Sequence, residues 1–568
     1  MKTSLVSVVL LLAVAAGAAT AEVTPNVYES PIAATPANQI DRIVFAKLAS
    51  LNIKPVLCSD AVFVRRAYLD VIGTLPSAQE AREFVEDTDT KDKRRVLIDR
   101  LLERPEFADY WSMKWGDILR IKAEFPVNLW PNAAQAYHRW VRASIAANKP
   151  YDEFAREMLT SSGSNFRVGP VNFYRAIQDK TPEGIASTVA LTFMGSRTDS
   201  WSKGVLAGMT VFFSQIGYKP TSEWKEENVF WDPLGACSVA GNVAPGQAAI
   251  STSPKAKADS DTPPKADDES KEATAPPAEG KPLTAVFPDG TEIQLPPDRD
   301  PREVFADWLI TPENPWFARS IVNRVWAWLI GRGIIHEPDD IRDDNPPSNP
   351  RLLAYLEKEF IASGYDLNHL YRLILHSNTF QFSAMPLATE DEASAARAEA
   401  NFARRPLRRL EAEVLIDAVN KITGTKDLYT SAIPEPFTYI PRDMPAIAIA
   451  DGSITSPFLA LFGRSARATG MASERIDKPV SSQWLHMLNS SHIQRKLEQG
   501  PALRALFRSG KKRVRLLEEL YWTILSRPPT QDELKVVAEY VQSPENRKTA
   551  AIDTTWALIN SSEFLYRH

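Results

Sequence analysis

Between Ile250 and Leu283 the only apolar side chains are alanines, and every other residue is Ser, Thr, Pro, Lys, Asp, Glu or Gly. Such a segment cannot bury enough apolar surface to offset the entropy of ordering it. Residues 242–282 are therefore expected to form a disordered linker between an N-terminal domain, 22–241, and a C-terminal domain, 283–568. In a chain of 568 residues each part is long enough to bury a core.

Apolar spacing of three and four runs through both parts, in RRVLIDRLLERPEF (94–107), ARSIVNRVWAWLIG (318–331) and LLAYLEKEFIASG (352–364). The fold class expected is mainly α, two domains of packed helical hairpins. One small β-hairpin is expected at 283–297, where apolar residues alternate around the turn Pro288-Asp289-Gly290. An internal match supports the hairpin reading. YLDVIGTLPSAQEAREFV (68–85) aligns without a gap on YWTILSRPPTQDELKVVA (521–538), pairing Tyr68 with Tyr521 and Pro76 with Pro529. Ser77 with Glu80, and Thr530 with Glu533, have the spacing of capping boxes. Each copy leads to a similar ending, LLERPEF (101–107) and LINSSEF (558–564), and ILHSNTF (374–380) closes a third helix in a similar way. Duplication and convergence on good capping chemistry both account for the match.

The first 21 residues have Lys2, an apolar run from Leu5 to about Ala16, and Ala19-Thr20-Ala21 as a small-residue cleavage site. This is the pattern of a signal peptide cleaved after Ala21, so an exported protein, periplasmic or extracellular, is expected. The run is shorter than the roughly 20 residues of a membrane span, and no later segment qualifies, so no transmembrane anchor is expected. The formal charge of -5 argues against a broad nucleic-acid surface. Two cysteines are present, Cys58 and Cys237. A disulfide between them is one reading and two separate buried thiols the other.

The densest group of ionisable residues is GRGIIHEPDDIRDDNPPSNPRLL (331–353). It lies between a helix ending at Gly331 or Gly333 and one starting at Asn349-Pro350, with Ile334, Ile335 and Ile341 available to pin it to a core. Two readings stand. Asp339, Asp340, Asp343 and Asp344 are hard oxygen donors of the kind calcium takes, and Asp339, Asp340 and His336 are the candidate catalytic groups. Alternatively the carboxylates pair with Arg332, Arg342 and Arg351 and join two helices. The spacing is not that of an EF-hand loop, and GRG at 331–333 follows a helix and lacks the third glycine of a nucleotide loop. No G-x-S-x-G, H-E-x-x-H or Walker motif occurs, and the seven histidines are scattered. Trp111 and Trp115, four apart, read as core. Trp326 and Trp328 fall on opposite sides of one helix, which is either buried all round or presents one indole as a sugar platform.

Three stretches, CSDAVFVRRAYLDVIGTLPSAQEAREFV (58–85), LLERPEFADYWSMKWGDILR (101–120) and NPWFARSIVNRVWAWLIGRGIIHEPDDIRDDNPPSNPRLL (314–353), resemble the exported two-domain proteins of planctomycetes. That family joins a cytochrome c-associated domain (domain of unknown function 1549) to a planctomycete-specific C-terminal domain (domain of unknown function 1553). RRPLRRLEAEVLIDAVNKITG (404–424), FGRSARATG (462–470) and LSRPPTQDEL (525–534) resemble the second domain. Many members carry C-x-x-C-H after a helix ending in F-(L/M)-G, implying covalent haem or a related site. Here that region reads FMGSRTDSWSKGVLAGMTVFF (193–213), without Cys or His. Members also often show cysteines before Glu-Arg, where this chain has Met471-Ala472-Ser473-Glu474-Arg475. Without those thiols no thioether bonds form, so no covalent haem is expected and calcium is the one ion the acidic stretch suggests.

Three functions remain. The first is an exported cell-envelope scaffold or binding protein with an envelope protein or polysaccharide as partner. The second is a polysaccharide hydrolase using the carboxylates of 337–344. The third is an electron-transfer partner.

Overall fold

Several helix starts in this chain are set by short polar side chains that accept the free N–H groups of the first turn. In the computed structural model, which describes residues 26–89, 91–234, 283–385, 391–476 and 478–568, Asn38, Ser59, Thr181, Ser202, Asn349 and Asp366 each do so. The leader, the segment 242–282 and Cys237 lie outside the described residues. Cys58 is fully buried.

Both copies of the matched stretch form the same hairpin. Helices Asp60–Val71 and Ala78–Glu86 correspond to Arg513–Leu525 and Gln531–Tyr540. Both capping boxes are made, with Ser77 and Glu80 bonded reciprocally in one copy and Thr530 and Glu533 in the other. The turn needs a left-handed residue, supplied by Gly73 (φ 64°) in the first copy and Ser526 (φ 61°) in the second. Each capping glutamate also takes an arginine, Arg104 to Glu80 at 3.1 Å and Arg527 to Glu533 at 2.8 Å. The copies pack on each other, with Arg82 reaching Glu519 at 3.1 Å and lying over the Trp522 ring.

The expected β-hairpin is present, Thr284–Val286 paired antiparallel with Glu292–Gln294 around a turn in which Gly290 has φ 89°. A three-stranded antiparallel sheet of Gly163–Ser164, Glu227–Trp231 and Ile216–Pro220 was not anticipated. Tyr218, Val229, Phe230 and Trp231 were its β-forming signal. The architecture is mainly α.

The two flanks of the linker share one hydrophobic core, which includes Phe63, Trp111 and Tyr151 from before it and Phe317, Tyr371 and Phe564 from after it. Trp111 lies 4.4 Å from the Tyr371 ring and 5.6 Å from Trp328. Trp115 and Trp326 are buried, while Trp328 is half-buried against Trp111 and Trp115. Strand Arg408–Arg409 pairs with Tyr566–Arg567 beside this core, and Leu57 bridges to Phe382. Arg65 and Arg66, both buried, cap carbonyls across the junction: Arg65 donates to Ile524 O at 2.8 Å and Phe564 O at 2.9 Å, and Arg66 to Phe380 O at 2.7 Å. A planar guanidinium with several directed donors suits this better than an ammonium.

Charge is buried along the same junction. Asp117 pairs with Arg467 (3.0 Å) and Arg475 (2.7 Å), and Glu413 with Arg475 (2.6 Å) and Arg464 (3.1 Å). Asp70 holds Arg405 and Arg567, and Glu411 holds Arg567 and Lys114. Burial alone pushes the Glu413 carboxyl up, but Arg475 and Arg464 outweigh it and hold the group down at about 2. Replacing one partner of such a pair leaves the other charged and dry, so the network specifies how the two flanks meet.

Candidate functional site

Helix Phe317–Ile330 ends at Gly331 in the left-handed conformation, and helix Pro350–Ala362 begins behind the Asn349 cap. Between them the acidic stretch is held from both sides. Asn323 pairs with both backbone groups of Ile335 at 2.9 Å, and Ser348 N donates to Ile334 O at 2.8 Å. Ile334, Ile335 and Ile341 are buried, as their position implied.

Asp339 is 3% exposed and both of its oxygens are taken. Oδ1 accepts from Arg324 at 2.8 Å and Oδ2 from the backbone N–H of Ala472 at 2.7 Å. Arg324 continues to Thr192 O at 2.9 Å and Leu191 O at 3.2 Å. Asp340 and Asp344 lie on either side of Arg342 at 3.3 and 3.2 Å. His336, Glu337 and Asp343 are exposed, and partial burial followed by the Arg332 charge lowers the His336 pKa. Asp339 is thus directed inward while Asp343 and Asp344 face solvent, and the four aspartates do not converge on one point. Among the described residues no group of three His, Cys, Asp or Glu side chains is arranged to hold a metal ion.

The stretch is instead one of three segments that meet. Residues Ala190–Met194 make a π-helical turn, a form often found at functional sites, which ends at Gly195 (φ 61°). Gly195 O accepts from Ile341 N at 2.9 Å, and Phe193 O from Ser320 Oγ at 2.7 Å. A Cβ at Gly195 would meet Ile341 at 3.0 Å and Ser320 at 3.2 Å, so glycine permits the approach. The third segment is the loop 464–475, tied on by Asp339 to Ala472, by Gln178 to Ala468 O (2.8 Å) and by Arg120 to Thr469 O (3.1 Å).

Where these segments meet, a cavity of about 510 Å³ opens, lined on one side by Arg120, Gln178 and Asp179, on another by Arg197–Asp199, and across from them by Ala468, Thr469 and Met471. The two places at which relatives of the resembled family carry thiols, after F-(L/M)-G and before Glu-Arg, therefore border a single cavity. Its lining holds neither thiol nor imidazole. Thioether attachment of haem requires two thiols, so these residues do not fit a covalently held haem.

Sequence models for two families match the chain in order: the protein of unknown function DUF1549 over residues 39–212 and the protein of unknown function DUF1553 over residues 301–541. The chain belongs to this two-domain planctomycete-type family. No curated protein and no solved structure matches it. The cavity thus lies between the two family regions, with residues 120 and 178–199 from the first and 468–471 from the second. Among the described residues no helix is long and apolar enough to cross a membrane.

The sequence reading missed Arg324 and Arg120, each a lone arginine in or beside a helical run. It also missed that two of the scattered histidines meet: His486 lies 3.3 Å from His492, which bonds Asp427 at 2.9 Å, with Lys496 on the other oxygen at 3.2 Å.

Proposed function

We propose that the chain is an exported binding or scaffold protein of the cell envelope, which seats part of an envelope polysaccharide between its two family regions without cleaving it. The carrying observation is the engagement of the acidic joint. Asp339 has both oxygens committed to Arg324 and Ala472, which ties down the loop walling the cavity, and Asp340 and Asp344 share Arg342, so these carboxylates are engaged in structural pairs. A hydrolase needs two carboxyl groups facing one glycosidic bond across a gap that a sugar can enter. Export is supported by Lys2, the apolar run from Leu5 and Ala19-Thr20-Ala21. The family resemblance implies polysaccharide-processing or redox partners, and we take the first of these.

The test is retention of envelope polysaccharide by the immobilised mature chain, with new reducing ends counted in the same sample. Retention without new reducing ends, unchanged in Asp340→Asn, is expected. Reducing ends that appear with the wild type and vanish in Asp340→Asn would replace this reading with a carboxylate-dependent hydrolase.

A further inference from the structure

Arg120 lines the cavity, and its surroundings do not account for it. Its side chain is only 5% exposed, yet among the described residues no carboxylate stands within ion-pairing distance and Nη1 has no hydrogen-bond partner. Arg467, Arg475 and Arg567, buried along the same junction, have carboxylates in contact, and Arg65 and Arg66 donate to carbonyls across it. Burying a cation without a counter-charge is costly, and here the cost shows in a pKa lowered to about 10 by desolvation, offset only at longer range by Tyr137, Glu474 and Asp339.

The backbone is also bent to place this side chain. Arg120 has φ 56°, a left-handed conformation that is unfavourable for a residue with a Cβ and that collects at binding sites. Gly470 (φ 75°) leaves room for the guanidinium, since a Cβ there would come within 2.8 Å of Arg120 Cζ. A second arginine, Arg197, lines the same cavity with its Nε buried and unpartnered. The acidic members of the lining, Asp179 and Asp199, are exposed at the rim, and Asp179 already accepts from Thr181 N and Oγ1.

We infer that the cavity binds an acidic saccharide unit, with the sugar carboxylate on Arg120 and Arg197 and its hydroxyls toward Asp179, Asp199 and Gln178. The inference rests on the binding-protein reading and names its ligand class. A guanidinium matches a carboxylate with paired, charge-assisted hydrogen bonds. Rim carboxylates and an amide are the groups that accept from and donate to hydroxyls. The cavity size is within the usual range for small-ligand sites.

Calorimetric titration of the full mature chain with glucuronate, galacturonate, glucose and inorganic sulfate tests this. Saturable binding of a uronate, with glucose silent and sulfate weaker, is expected. Arg120→Gln should weaken uronate binding by about tenfold to a hundredfold, the loss of hydrogen bonds to a charged group. If Arg120→Gln does not fold, Arg197→Gln, at a half-buried position, should still weaken uronate binding and leave the melting temperature unchanged. No saturable uronate binding, or uronate binding unaffected by either substitution, overturns the inference. Sulfate bound as tightly as the uronate, or saturable binding of glucose, removes the acidic saccharide as ligand. Polysaccharide retained equally by the wild type and Arg120→Gln would sink this inference and leave the binding reading standing, whereas no retention at all would sink the binding reading itself.

Discussion

Replacing Asp339 by alanine removes the one carboxylate, among the described residues, in contact with Arg324, which is itself 1% exposed. Three groups are affected together. Arg324 keeps its bonds to Thr192 O and Leu191 O but loses its counter-charge; the N–H of Ala472 loses its acceptor; and the cavity wall at 471–472 loses its tie to the helix Phe317–Ile330. Breaking a buried ion pair from one side costs about 3–5 kcal/mol, a figure that includes the remaining unpaired charge. Asp343→Ala, at an exposed position, should cost no more than about 0.5 kcal/mol. Urea denaturation of the full mature chain measures both. The double variant Asp339→Ala, Arg324→Met removes the uncompensated charge and should recover part of the loss, giving a coupling of about 1 kcal/mol or more in the double-mutant cycle. Losses for Asp339→Ala and Asp343→Ala that agree within 0.5 kcal/mol, roughly the error of such comparisons, would refute the assignment of Asp339 as a structural tie.

Glu413 gives a pH dependence with a definite sign. Its folded pKa, about 2, lies below its ordinary 4.5, so its contribution is present above pH 4.5 and is lost as the pH falls toward 2; Glu413→Gln should flatten the acid limb of the stability curve in that window. At the duplicated left-handed position the two copies should respond oppositely. Gly73→Ala brings a Cβ to 2.4 Å from the Tyr110 ring and should lower the melting temperature by several degrees, whereas Ser526→Gly should raise stability by up to about 1 kcal/mol. Ser77→Ala and Thr530→Ala should each cost about 1 kcal/mol in denaturant titrations, because each removes one half of a capping box.

Features that depend on neighbours in sequence were legible before the structure. The capping boxes at Ser77 and Thr530, the hairpin around Gly290 and the end of a helix at Gly331 are local chemistry, written within four or five residues. The joint was legible as a place but not in its wiring. Arg342 lies inside the acidic stretch and was anticipated as a partner, while Arg332 and Arg351 make no ion pair among those found with its carboxylates. Arg324, which holds Asp339, is 15 residues back on a helix and reads there as an ordinary charged face; Ala472, which completes the pair, is 133 residues away. The shared core was hidden for the same reason. The composition of 242–282 describes the linker and carries no information on whether Trp111 packs against Tyr371 beyond it. Arg120 was the least visible, because its left-handed backbone and missing counter-charge exist only once residues 178–199 and 468–471 surround it.

The most direct test of the account is elemental analysis of the mature chain, purified without chelator, beside the Asp340→Ala, Asp344→Ala variant. If the acidic stretch is a joint, neither protein carries a stoichiometric metal and added calcium leaves the melting temperature of both unchanged. One calcium or transition-metal ion per chain, lost in the variant, would contradict the account and make the stretch a metal site.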